Sequence, residues 1–424
     1  MASFRSRMEV ASTILRNLRV QREARQLLEE QEFDANEEEE QMQEPPPRRP
    51  RRRIRPRRWY RRPWIEQRPD FGHFEKFLPH CRETDPESYK YFVRLDPDLF
   101  EEMLARIEHR IKKTHTNLKK PLEPGLKLAV TLRFLATGEA YKSLATAFRI
   151  GANSISIFVP EVCEAIIQEY MDEWLVCPKT PEEWKTVAEG FSTKWQFHHT
   201  LGAIDGKHIK IFCPPKSGTV YYNYKGYYSI VLMAIVDADG KFIYVDVGAP
   251  GSCSDGGIFR DTPLREHLEQ GTAGLPEDEP LPGEERPCPY FFVGDAAFPL
   301  RKWLQKPHPE RGMSEEQHMY NKRICRARIV VERVFGMLAQ KFRMFLTTIN
   351  ARPQTVEKMV LAACILHNIL TTRNPNLYRT FDEETQAFDG VQVERNNQRS
   401  RGPREVRDYL TTYYNRPENQ RVRN

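Results

Sequence analysis

Residues 229–247 read Ser229-Ile230-Val231-Leu232-Met233-Ala234-Ile235-Val236-Asp237-Ala238-Asp239-Gly240-Lys241-Phe242-Ile243-Tyr244-Val245-Asp246-Val247. Ser229–Val236 is a near-continuous apolar run, Asp239-Gly240 is a hairpin signal, and Phe242–Val247 alternates as a strand does. Upstream, from Thr200, Ile209 and Ile211 alternate with His208 and Lys210, which predicts another strand. Downstream the pattern predicts a helix over 257–268 and an exposed loop over 271–289, rich in Pro, Gly, Glu and Asp. A short strand, Tyr290–Val293, then ends at Gly294-Asp295. Ser314 and Gln317 form a capping box for a long helix to about Phe345, and a second helix starts near Pro353. Strands, a crossover helix, another strand and then helices make a mixed α/β layer, the predicted fold of residues 196–372.

Toward the N-terminus the rhythm is helical. Asp96-Pro97 ahead of Leu99 marks a helix start. Residues 124–137 carry Leu126, Leu128, Val130, Leu132, Phe134 and Leu135, closed by Gly138. A short helix over 143–148, a turn over 149–153 and a helix capped by Ser154 and running to Ile167 have helix-turn-helix rhythm. Such a unit can set its last helix in a DNA major groove, with Asn153, Ser154 and Ser156 at its start, or can be a plain helical bundle. Residues 70–195 are therefore assigned to a helical domain.

The chain has 424 residues, 39% of them hydrophobic, and a formal net charge of +6. That supports one large domain and a smaller helical one. No stretch is apolar enough to span a bilayer, and no membrane partner is expected. Charges at Arg5, Arg7, Glu9, Arg16 and Arg19 argue against a secretory signal. Eight cysteines stand without C-x-x-C pairing, against a zinc knuckle or a disulfide framework. Residues 1–30 read as a helix, and 31–69 as a disordered segment. There Glu37–Glu40 precede an arginine block that includes Arg48, Arg52, Arg53, Arg57, Arg58 and Arg62. That block reads as a nuclear-import signal or a phosphate-binding arm, or else as a solubilising linker. Order is expected from Phe71, and residues 373–424 read as a polar, basic tail with a short helix near 406–414.

Three acids stand where hydrolytic phosphodiester chemistry would want them. Two divalent ions held by carboxylate oxygens can neutralise a scissile phosphate and activate an oxygen nucleophile. Asp205 lies in or at the end of a strand, Asp295 ends another, and Glu332 lies on the long helix. Small residues (Cys325, Gly336, Ala339) at helical spacing from Glu332 let that helix approach the sheet, and Arg328 and Arg333 can neutralise it or touch phosphate. Taken singly, each acid has a plain alternative: a turn at Asp205-Gly206, a loop-start cap at Asp295, an exposed or salt-bridged helix residue at Glu332. Asp237, Asp246, Asp255 and Asp261 compete, and pattern alone does not pick three. His208 can assist the site or be an exposed strand residue; His367 reads as a core histidine.

Six ordered strings over roughly 90–372 resemble the PIF/Harbinger family of DDE transposases. They are Gly202-Ala203-Ile204-Asp205-Gly206-Lys207-His208-Ile209, Tyr222-Asn223-Tyr224-Lys225-Gly226, Ser254-Asp255-Gly256-Gly257-Ile258-Phe259-Arg260, Val293-Gly294-Asp295-Ala296-Ala297-Phe298-Pro299-Leu300, Ala327-Arg328-Ile329-Val330-Val331-Glu332-Arg333-Val334-Phe335-Gly336 and Cys364-Ile365-Leu366-His367-Asn368. The resemblance implies an RNase H-like catalytic domain behind a helix-turn-helix. It implies Asp205, Asp295 and Glu332 as catalytic, metal-binding residues with two Mg²⁺ or Mn²⁺ ions. It also implies transposon-end and target DNA as substrates and a Myb-like or SANT-type partner protein on a separate chain. Lys207, Lys225, Arg328 and Arg333 are candidate DNA contacts, with the tyrosines of 221–228 beside them. By analogy, assembly on two DNA ends suggests at least a homodimer, in the nucleus. The alternative is a domesticated DNA-binding or chromatin protein that no longer transposes; a metal phosphatase is a remoter one.

Overall fold

The computed structural model describes residues 62–114, 121–373 and 401–419. The expected N-terminal helix, the acidic block and Arg52, Arg53, Arg57 and Arg58 lie outside these residues. Among the described residues, helical structure begins at Pro63, ahead of the expected Phe71.

The N-terminal half is helical: α1 (Pro97–Ile111), α2 (Pro124–Thr137), α3 (Tyr141–Ala147), α4 (Ala152–Trp174) and α5 (Pro181–Trp195). Helices α3 and α4 meet at 102°, within the range of a helix-turn-helix corner. The predicted cap at Ser154 is not the one used. Helix α4 starts at Ala152 behind Gly151, with no side-chain cap, and runs on to Trp174 despite Pro160.

Three strands follow: β1 (Thr200–Lys210), β2 (Ser229–Val236) and β3 (Phe242–Pro250). The expected helix over 257–268 is two pieces, α6 (Asp255–Arg260) and α7 (Pro263–Gln270). Proline cannot donate into a continuing helix, so Pro263 instead opens a second one behind the Thr262 cap. The loop over 271–289 holds a small hairpin pairing Glu279 with Cys288. Then come β4 (Phe291–Val293), β5 (Leu304–Gln305), α8 (Glu315–Lys341), α9 (Pro353–Arg373) and α10 (Arg401–Asn415). Helix α8 has the predicted capping box, with Ser314 Oγ accepting from Gln317 N and Gln317 Oε1 accepting from Ser314 N.

The five strands form one mixed sheet in the order β3-β2-β1-β4-β5. Strands β1, β2 and β3 pair antiparallel, whereas β1–β4 and β4–β5 are parallel. Alternate side chains of β2 leave by opposite faces: Ile230, Leu232, Ala234 and Val236 join one buried cluster, and Val231, Met233 and Ile235 join another. Both faces are therefore covered, which explains why β2 is apolar throughout instead of alternating. The first cluster is continuous from Leu78 through α2, α4, α8 and α9 to Tyr414, so helices and sheet share one core.

Two features of this core were hidden in sequence motifs. In the Cys364–Asn368 string, Asn368 accepts from Phe242 N at 2.9 Å and donates to Phe242 O at 2.8 Å and Trp174 O at 2.6 Å. His367 Nε2 meets Gly240 O at 2.8 Å. Helix α9 thus fastens the β2–β3 hairpin to α4, and His367 is a core histidine as expected. Part of the stretch read as a polar tail is structural: α10 buries Leu410, Tyr413 and Tyr414. Tyr414 stacks on Phe197 and its hydroxyl accepts from His198 N at 2.8 Å.

Candidate carboxylate site

Asp205 stands on β1 on the same face as Ala203 and Ile209, the face covered by α8. The parallel register pairs Ala203 with Val293, and Asp205 and Asp295 lie equally far beyond that pair. The sheet thereby sets two carboxylates side by side, Asp205 midway along β1 and Asp295 in the loop just past β4. Its Oδ1 accepts from Ala297 N at 2.9 Å, and buried Lys306, after β5, donates to Ala296 O at 2.9 Å. Sequence reading missed Lys306, because the two-residue strand that delivers it carries no periodic signal.

The electrostatics mark these groups as close and incompletely neutralised. Burial, then the neighbouring Asp295, pushes Asp205 up to about 8, with Asp255 adding to the rise and Arg328 opposing it. Asp255 is pushed up to about 6 by burial and then by Asp295, against Lys225. Such displaced carboxylates are typical of functional sites, where like charges are gathered at a cost.

Glu332 occupies α8 as the small-residue pattern predicts, half-buried with Ala327 and Val331 beside it in the core. It is not free to meet the two aspartates: Arg328 Nη2 holds Glu332 Oε1 at 2.7 Å. Arg328 also feels Asp205 and Asp295, so its guanidinium lies in the field of all three acids. Its Nε is buried with no hydrogen-bond partner. Among the described residues, no three His, Cys, Asp or Glu groups converge tightly enough to hold a metal ion as they stand.

The expected DNA contacts divide into groups. Lys207, on the α8 face of β1, lies over Phe335, with its pKa lowered chiefly by burial. Lys225 is exposed on the loop after Asn223 and lies over Tyr224. That loop is tied by Asn223, whose Oδ1 accepts from Lys225 N and Tyr227 N and whose Nδ2 donates to Ser229 Oγ. It projects Tyr222 and Tyr224, 45% and 61% exposed, Tyr224 beside His208 and Tyr222 against Tyr228. His208 is not an exposed strand residue. It is half-buried against Ser229 Oγ at 2.9 Å, and burial, with Lys225 adding, lowers it to about 4, so it is neutral near pH 7. Arg333 packs over Trp195 of α5 instead of joining Arg328. Asn153 and Ser156 are exposed and Ser154 half-buried on the first turn of α4.

Asp255 is the residue that sequence reading left among the competitors. It opens α6, where Ser254 Oγ caps Gly257 N at 3.3 Å. The available signal was Gly206. A side chain there would fall on Asp255 Oδ1 and lie 3.0 Å from Oδ2.

Residues 204–368 match the model of the DDE superfamily endonuclease domain, a span that runs from β1 to Asn368. An ALP1-like protein of Arabidopsis thaliana is 26% identical over 298 residues, covering 68% of this chain and 71% of that protein. The candidate nuclease HARBI1 of Homo sapiens is 26% identical over 259 residues, covering 60% of this chain and 69% of its own. A second Arabidopsis thaliana protein, antagonist of like heterochromatin protein 1, is 23% identical and covers 69% of this chain and 75% of its own. No solved structure matches significantly.

Proposed function

We propose, from the premise that this chain belongs to the Harbinger-type family of DDE transposases and related nucleases, that it cuts DNA at a divalent-metal site built on Asp205, Asp295 and Glu332. The observation that carries the reading is the pair Asp205, midway along β1, and Asp295, just past the end of the adjacent parallel β4, with Asp205 raised to about 8 by burial and by its neighbour. The mixed five-stranded sheet with helices on both faces is consistent with the RNase H-like fold the family implies.

The residues present suit Mg²⁺ or Mn²⁺. The donors are hard carboxylate oxygens whose charges repel, and Gly206 leaves room for the Asp255 carboxylate against β1. Asp205 and Asp295 would hold the ions, with Glu332 completing the set after exchanging its contact with Arg328. Bound ions of this kind neutralise charge on a scissile phosphate and activate an oxygen nucleophile. The protein's own contribution is placement: Arg328, with Nε unpartnered, offers a cation beside the carboxylates. Lys225 and the exposed Tyr224 offer a phosphate contact and a stacking face on the adjoining loop. The corner of α3 and α4 supports a helix-turn-helix reading, with Asn153 and Ser156 facing outward.

In this reading the enzyme hydrolyses DNA at element ends and joins them to a target. It would act as a dimer or larger assembly in the nucleus, with a Myb-like partner. A second reading, a nuclease that no longer transposes, is supported by relatives whose names speak of a nuclease and of heterochromatin instead of transposition. The test is cleavage of a labelled duplex carrying candidate ends, in Mg²⁺ or chelator, by wild type and Asp295→Ala. Metal-dependent cutting that disappears in the variant is expected. Equal cutting by the variant refutes the site, and cutting without strand joining favours the second reading.

A further inference from the structure

We infer, resting on the metal-nuclease reading above, that Lys306 is a positioning residue for Asp295, and that α10, which lies beyond the matched span, is the clamp holding Lys306 in place. Lys306 is 8% exposed, and its ammonium donates at 2.9 Å to Ala296 O, the carbonyl next after Asp295. Strand β5 delivers it. Gln305 is in register with Val293, and its carbonyl accepts from Gly294 N at 3.0 Å, so Lys306 arrives level with the start of the loop. The Asp295 carboxylate's own bond, to Ala297 N at 2.9 Å, stays within the loop and shapes the turn without fixing it against the sheet. Buried Phe298 anchors the far end of the loop, and Lys306 ties the near end.

The segment that carries Lys306 is held from two helices. Asn321 of α8 bonds both backbone groups of His308: Oδ1 accepts from His308 N at 2.7 Å, and Nδ2 donates to His308 O at 2.9 Å. On α10, Arg407 Nη1 donates to Pro307 O at 3.3 Å. Thr411 Oγ1 gives its proton to Arg407 O at 2.8 Å, so at 2.9 Å it accepts from His308 Nε2. The stem of Lys306 therefore starts from a fixed backbone. A neutral donor could make the tie to Ala296 O. A buried ammonium with no ion pair among the described residues, set near the buried Arg407, is costly unless its charge is used. Burial, then Arg407, lowers the pKa of Lys306, and Asp295 opposes them. The acid that this cation serves is thus Asp295, which Asp205 repels from the other side. Tie and charge together hold the Asp295 turn in place against that repulsion.

The test compares five full-length chains: wild type, Lys306→Met, Lys306→Arg, Arg407→Met and Lys302→Met, the last an exposed lysine on the same segment. Nicking of a supercoiled plasmid in MnCl₂ is followed against plasmid concentration, and amide hydrogen exchange of the peptide spanning 294–298 is followed in EDTA. Lys306→Met is expected to lower kcat about tenfold or more, since a misplacement of about 1 Å can cost a hundredfold. KM should stay within about twofold, because the interaction lost is not one that binds the substrate. Exchange over 294–298 should rise. Lys306→Arg, which keeps a cation and its donors, should recover part of the rate. Arg407→Met should act in the same direction and add little to Lys306→Met, and Lys302→Met should match wild type in both readouts. A wild-type kcat in Lys306→Met overturns the role of Lys306. A lower kcat with unchanged exchange over 294–298 also overturns it. Melting far below wild type in EDTA, with no recovery in Lys306→Arg, makes Lys306 merely structural and overturns it as well. If Arg407→Met leaves exchange over 294–298 unchanged, α10 is not the clamp. No Mn²⁺-dependent nicking by wild type overturns the metal-nuclease reading itself, and the catalytic meaning of the tie with it.

Discussion

Replacing Asn368 by Ala tests whether α9 holds the hairpin and α4 together, because that side chain alone satisfies three backbone groups. Phe242 N and Phe242 O lie in the buried core, whereas Trp174 O belongs to a half-buried residue at the end of α4. Leaving a buried donor or acceptor unpaired costs roughly 1–3 kcal/mol, so the two Phe242 groups together set a loss of about 2–6 kcal/mol. Water can reach Trp174 O, and its contribution is taken as small. Such a loss exceeds the ordinary effect of a point substitution, about 1 kcal/mol. Equilibrium urea unfolding would show it as a lower midpoint with the slope unchanged. Asn368→Asp should fare no better, since it keeps the acceptor for Phe242 N but turns a carboxylate toward two carbonyls. A loss below about 1 kcal/mol for Asn368→Ala would refute the idea that this residue clamps the three elements.

Two further predictions concern charge. In EDTA, native Asp205 binds its proton up to about pH 8, whereas the unfolded chain releases it near the ordinary value of 3.8. Its contribution to stability is therefore full below that value and is lost as pH rises toward 8, by at most about 1.4 kcal/mol per pH unit. Asp205→Asn should flatten this decline in thermal unfolding from pH 5 to 8, and an unchanged slope would disprove the shift. Lys341, lowered to about 8 by burial and then by Arg94 and Lys90, has the opposite sense. The native state gives up that proton before the unfolded chain does, so stability climbs from about pH 8 to the usual lysine value. Lys341→Met should stabilise the protein at pH 7 by on the order of 1–2 kcal/mol, and a lower urea midpoint would contradict this.

What could be read in the sequence was whatever local chemistry decides. The run Ser229–Val236, the Asp239-Gly240 turn and the Ser314–Gln317 capping box each act through immediate neighbours, and each appears where its residues predict. The parallel placement of Asp295 beside Asp205 was legible through the motif order and not through periodicity. Two residues, Leu304 and Gln305, are too few to announce a strand, and with β5 went Lys306. The anchoring of α10 was obscured because Tyr413 and Tyr414 bury against residues distant in sequence: Tyr414 stacks on Phe197, and the Tyr413 hydroxyl donates to Pro282 O. Asp255 looked like any helix-opening acid. Its place beside β1 depends on Gly206, whose importance lies in the side chain it lacks.

The core that runs unbroken from α2 and α4 through α9 to β3 leaves no hinge between the helical layer and the sheet. A duplex resting on the outward turn at Asn153 and Ser156 would therefore meet the carboxylates at a constant offset. The molecule would behave as a fixed gauge, cutting at a set number of base pairs from where it grips. Under the proposed function, flexibility in the choice of cut would then come from the DNA bending or from a second copy, and not from the described helices and sheet.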